Sequence, residues 1–122
     1  MTTAVDVDTT TACRAAHSAD PVTHYVLVRG DLPRGVQAAQ IVHAAGLSSP
    51  GDLDVGTFAV VLSVPNEPEL TAVAERLESA GVALVRVTEP DAPHDGALMA
   101  LGLRPARKEA LRRHVSSLPL LK

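Results

Sequence analysis

Four short apolar runs constrain this chain more than any other feature: YVLV at residues 25–28, TFAVVLSV at 57–64, VALVRVT at 82–88 and ALMALGL at 97–103. Runs of this length, rich in β-branched residues and bounded by Gly, Pro and Asp, have the length of strands rather than helices. Their near-continuous apolarity suits strands covered on both faces. The segments between them read as helices. Residues 35 or 36 to 45 form one, with Gly46 as its stop. Asn66 and Glu69 make a capping box for a second, with Pro68 in the first turn, Leu70, Val73, Ala74 and Leu77 on one face, and Gly81 at the end. A last helix is expected from near Pro105 to about Val115.

The resulting order is β, α, β, α, β, β, α. Helices between successive strands imply parallel pairing with crossovers, and the short link between the third and fourth strands implies an antiparallel neighbour. The expectation is an α/β fold: a three-layer α/β/α sandwich around a mixed, mostly parallel sheet of about four strands. Residues 1–22, rich in Thr, Ala and Asp and without hydrophobic periodicity, are expected to form a disordered arm, leaving 23–122 as one domain.

Composition narrows the function classes. With no Trp, one Tyr and one Phe, the chain lacks the aromatic platforms on which single-strand readers stack bases. A single cysteine, Cys13, cannot build a disulfide framework, and no apolar run approaches the length of a membrane span, so a cytoplasmic protein with no membrane partner is expected. Net charge is −3, which argues against indiscriminate affinity for nucleic acid. The charge is unevenly spread, however. From Arg104 onward, Arg104, Arg107, Lys108, Arg112, Arg113 and Lys122 face a single acid, Glu109.

In sheets of this kind ligands gather at the carboxyl ends of the parallel strands. Three loops share that edge: RGDLPRG, PNEPE and TEPDAPHDG. Gln37, Gln40 and His43 recur every third residue on the first helix, either as its wet side or as a polar seam beside the ligand edge. Glu89, Asp91, His94 and Asp95 form the densest ionisable cluster and offer a candidate general base, or else an exposed acidic turn. No close histidine pair suggests a metal, Cys13 lies in the arm, and neither a G-x-S-x-G elbow nor a Gly-rich phosphate loop occurs. No cofactor and no covalent nucleophile are expected.

Two blocks carry a resemblance. Val28-Arg29, Asp31-Leu32, Gly35, Ala38-Ala39-Gln40 and His43-Ala44-Ala45, followed far downstream by Glu89, Asp91-Ala92, Gly96, Leu101-Gly102-Leu103, Pro105, Leu118, Leu120 and Leu121, resemble the type 2 peptidyl-tRNA hydrolases. The similarity runs over residues 24–122, and the chain looks like a divergent, bacterial-type member: where that family carries a lysine it has Val36, with Arg34 the cation close by, and the family's threonines are replaced around Ala97 and Met99. The resemblance implies hydrolysis of the ester joining a peptide to tRNA, without metal or covalent intermediate. Asp91 and Glu89 would serve the water, and Arg34 or the first helix's N–H groups the developing charge. On this reading Arg29, Gln40 and His43 contact the substrate or RNA, with Gln40 and His43 bracing the loops around the site, and the basic Arg104, Arg107 and Lys108 either contact the RNA backbone or form a solvated helix face; peptidyl-tRNA or another RNA-linked ester is the expected partner, and the apolar first helix and the Leu-rich terminus could supply a homodimer contact. Two other readings stay open: a non-catalytic binding module on the same fold, and a hydrolase or acyl-transfer enzyme for a small aminoacyl or amide substrate.

Overall fold

A computed structural model describes residues 21–122. Residues 1–20, which include Cys13 and nearly all of the expected arm, lie outside the described residues. Pro21 and Val22 do not belong to an arm: Val22 opens the first strand.

The described residues form a mixed five-stranded sheet with three helices. Strand β1 (Val22–Arg29) is its axis, buried from Thr23 through Val28. It pairs in parallel with β2 (Phe58–Val64), Thr23 opposite Phe58 and Arg29 opposite Val64. Helix α1 (Arg34–Ser48) makes the crossover between them. Helix α2 (Glu67–Ser79) leads to β3 (Leu84–Glu89). A tight turn then sends β4 (Ala97–Leu103) back antiparallel, between β3 and β1.

That insertion corrects the expected sheet. Three of the long strands point the same way, but β4 separates β1 from β3, so β1–β2 is the one parallel pairing among the described strands. The cause is the length of the turn from residue 90 to 96, too short for a crossover, which leaves β4's second edge for β1 to fill. The count is also five rather than four. Ala106–Arg107 form β5, which pairs with Thr23 and Val22 before helix α3 (Lys108–Val115) begins. Pro105, expected as the start of that helix, instead precedes this short strand.

Alternation along β1 divides the interior. Tyr25 and Leu27 join Leu70, Ala74 and Leu77 of α2 and Leu111 and Val115 of α3. Val26 and Val28 join Ala44 of α1, Val87 and Ala100. Local signals fix α2 at both ends. The Asn66 side chain accepts the Glu69 N–H at 3.0 Å. At the far end Gly81 adopts φ +83°, while its N–H reaches the Glu78 carbonyl and that of Val82 the Leu77 carbonyl, the paired bonds of a Schellman ending.

Helix α1 is longer than its sequence suggests and inverted in polarity. It continues through Gly46 to Ser48, whose Oγ donates to the Ala44 carbonyl at 2.7 Å and lies 2.7 Å from His24 Nε2 on β1. Its buried residues are Gln37, Gln40, Ala44 and Ser48, whereas Val42 and Leu47 are 70% and 63% exposed. Gly102 on β4 lets the helix come this close, because any Cβ there would lie on the Ala44 carbonyl and the Ser48 side chain. No helix of the described residues is long and apolar enough to cross a membrane.

Candidate active-site crevice

The three loops at the carboxyl edge are tied together by side chains. Arg29, the last residue of β1, grips both carboxylate oxygens of Asp31, Nε to Oδ1 at 3.0 Å and Nη2 to Oδ2 at 3.0 Å. Its Nη1 donates to the Leu98 carbonyl at 3.2 Å, and the Leu98 N–H donates to Glu67 Oε2 at 2.7 Å. Both backbone groups of Leu98 are therefore satisfied by side chains from the end of β1 and the start of α2, which pins the start of β4. Each partner holds the other charged: the bond to Asp31 raises the Arg29 guanidinium above its ordinary range, and Arg29 draws the Asp31 carboxyl below its own. The Arg29 side chain is only 13% exposed, so this expected substrate contact is engaged in bracing the fold.

Helix α1 reaches the same edge through its buried amides. Gln37 Nε2 donates to the Arg29 carbonyl at 3.0 Å, and Gln40 Nε2 donates to Glu89 Oε1 at 3.1 Å. These bonds decide between the two readings of the polar stripe in favour of a buried seam, with one correction. Successive residues on an α-helix turn by about 100°, so a strict three-residue spacing drifts off the face while 37, 40, 44 and 48 stay on it. His43 is accordingly exposed and braces nothing at this edge.

The acidic turn closes on itself. Gly96 N–H donates to the Glu89 carbonyl at 2.6 Å, and the N–H groups of His94 and Asp95 reach the Asp91 carbonyl at 3.0 and 3.1 Å. Asp95 and Gly96 both take positive φ, 51° and 86°, to make the reversal. Folded this way, the turn lies against the start of α1. Gly35, Val36, Ala39 and Gln40 on one side and Glu89, Asp91, Ala92, Pro93 and His94 on the other line a crevice of about 440 Å³. Two segments 49 or more positions apart in the chain thus share one small site.

Within it the two acids differ. Glu89 is spoken for by Gln40 and by a long 3.4 Å bond from the Asp91 N–H. The Asp91 carboxylate is exposed and has no hydrogen-bond partner among the described residues. Across from it stands the first turn of α1, whose N-cap, Pro33, offers no side-chain cap, leaving the N–H groups of Gly35 and Val36 without helical partners. A carboxylate that shares a crevice with free helix N–H groups can take a proton from water, while the N–H groups can hold the charge that develops on an attacked carbonyl oxygen.

The remaining expected residues lie elsewhere. Arg34 lines a different cavity, of about 500 Å³, with Gly30, Gln37, Ser63 and residues 119–122. It projects from the other side of the helix's first turn, so it is not grouped with Asp91. Arg104, Arg107 and Lys108 sit at the opposite end of the sheet, since Arg107 pairs with Val22 while Arg29 ends the same strand. Seven strand steps at about 3.3 Å put them roughly 23 Å from the crevice. His24, which the sequence does not single out, is buried beside Ser48, and burial lowers its pKa. A polar residue inside an otherwise apolar strand was the available signal. Among the described residues no group of three or more His, Cys, Asp and Glu side chains gathers as a metal site. A scan against protein-family models and a search of curated proteins each return no match to this chain.

Proposed function

We propose that this chain is a type 2-like peptidyl-tRNA hydrolase whose chemistry is carried by Asp91 and the amino end of α1. The observation that supports the reading is the shared crevice: the Asp91 turn and the Gly35–Gln40 turn, the two blocks on which the resemblance rests, line one cavity. Asp91 accepts a proton from water as the water oxygen attacks the ester carbonyl carbon. The Gly35 and Val36 N–H groups hold the resulting oxyanion. The carbon–oxygen bond to the ribose then breaks, and Asp91 returns the proton to the leaving oxygen. Glu89, fixed by Gln40, keeps the turn seated against the helix. The frame belongs to the same reading, an α/β/α arrangement with α1 on one side of the sheet and α2 and α3 on the other, in a cytoplasmic protein.

One feature favours a second reading. Of the described residues the crevice is lined by Glu89 and Asp91 and by no Lys or Arg, a poor surround for a polyanion but a good one for a small ester or amide bearing an ammonium group. The wild-type chain, incubated in parallel with N-acetyl-aminoacyl-tRNA and with a small amino-acid ester, separates the two. Release of free tRNA supports the first reading. Turnover of the small ester alone supports the second, and turnover of neither removes both.

A further inference from the structure

The end of the sheet remote from the crevice carries a second cavity of opposite character. The end of α2, the starts of β3 and β5 and one side of α3 enclose about 390 Å³ there. Its floor is apolar, made by Val82, Pro105, Ala106 and Leu111, and its polar rim is Arg104, Arg113 and His114, with no Asp or Glu of the described residues in the lining. Neither arginine is neutralised by an acid among the described residues. The Arg104 side chain has no partner among the described residues, and Arg113 meets only the His114 ring, Nε to Nε2 at 3.4 Å. The nearby Arg112 leans instead on Glu109 at 3.9 Å, and Arg76 is engaged with the His114 carbonyl at 2.9 Å. The second of these bonds anchors the end of α3 to α2 and so steadies one wall of the cavity. Two exposed guanidinium forks with no carboxylate partner among the described residues, beside an apolar floor and in a protein of net charge −3, are free to meet the oxygens of an anion.

We propose that this cavity is a phosphate site: it binds a phosphate ester whose phosphoryl oxygens meet Arg104, Arg113 and His114 and whose body lies over Val82 and Leu111. The volume is within the range of small-ligand sites, and guanidinium geometry matches phosphate oxygens two at a time. The ester is either a free nucleotide-sized molecule or a phosphodiester of an RNA backbone; the chemistry of the site is the same for both. The crevice shares no residue with this cavity, so catalysis there and phosphate binding here can each fail alone.

The test is an amide chemical-shift titration of the full chain with AMP, with adenosine and with a short RNA duplex. Saturable shifts at Ala83, Ala106 and Ala110, with Gly35 and Val36 unmoved, are expected for at least one phosphate-bearing probe and for adenosine not at all. Arg104→Gln and Arg113→Gln should each weaken binding about tenfold, the loss of roughly one charge-assisted contact. Arg104→Lys should recover part of it. Saturation by AMP identifies a free phosphate ester as ligand, and saturation by RNA alone identifies a backbone phosphodiester. Linear shifts with every probe, binding of adenosine as tight as that of AMP, or unchanged affinity in both glutamine variants would overturn the proposal.

Discussion

Replacing Gly102 by alanine tests how α1 is held against the sheet. A Cβ at this position would sit 2.5 Å from Ser48 Oγ and 2.9 Å from Ser48 Cβ, and closer still to the Ala44 carbonyl oxygen. The first two contacts belong to a side chain at the helix end, but the third is helix backbone, so the strain is relieved only by moving α1 away from β4. Overpacking of this kind costs about 1–3 kcal/mol. The shift also breaks the bond between Ser48 and His24, two groups otherwise shut away from water, for roughly another 1 kcal/mol. Together these make a loss of about 2–4 kcal/mol, a large part of the 5–15 kcal/mol by which a typical domain is stable. Urea unfolding followed by circular dichroism should show the midpoint falling while the slope is unchanged. The same displacement should weaken the seating of Gln40 on Glu89 and lower any turnover at the crevice. A Gly102→Ala chain within about 0.5 kcal/mol of wild type would mean that the helix does not lie where this account needs it.

Other substitutions probe the same helix. At Gly46 a Cβ would meet nothing within 4 Å, and no positive φ is required, so Gly46→Ala should stabilise by about 0.5–1 kcal/mol, read as a raised urea midpoint. Gln40→Ala strips Glu89 of its side-chain donor and should cost about 1–2 kcal/mol, measured by the same unfolding. His24 is held neutral by burial, its folded pKa below the unfolded value of 6.5, so the unfolded chain takes up its proton first. Stability should be complete above about pH 6.5, fall as pH drops below it, and level off beneath the folded pKa; His24→Asn should lack that slope. Asp31, whose folded pKa is also depressed, contributes in a lower window: its share is present above its unfolded pKa of 3.8 and is lost as pH falls through the folded one.

What was legible in the sequence was local. The bounds of β4 follow from a continuous apolar run between Gly96 and Arg104, and both ends of α2 from a cap and a left-handed glycine. The far end of α1 was not legible, because Gly46 reads as a stop to any local rule, whereas the helix is carried past it by Ser48 meeting a histidine twenty-four positions earlier in the chain. The polar stripe was half legible: Gln37 and Gln40 are buried on partners at the carboxyl edge, while His43 turns away on a drift of a few tens of degrees that spacing alone does not register. Arg34 and Asp91 were grouped by their loops, yet which side of the helix's first turn faces the acidic turn is decided by tertiary packing. Strand β5, two residues long, exists only because β1 has an edge left to pair.

The measurement that bears most directly on the crevice is release of tRNA from N-acetyl-aminoacyl-tRNA by wild-type and Asp91→Asn chains, with unfolding curves recorded for both. Loss of a general base predicts a fall in turnover of about 10²–10⁴-fold, with unchanged stability because the Asp91 carboxylate is exposed and holds nothing in place. Release by the asparagine variant at the wild-type rate would contradict the account.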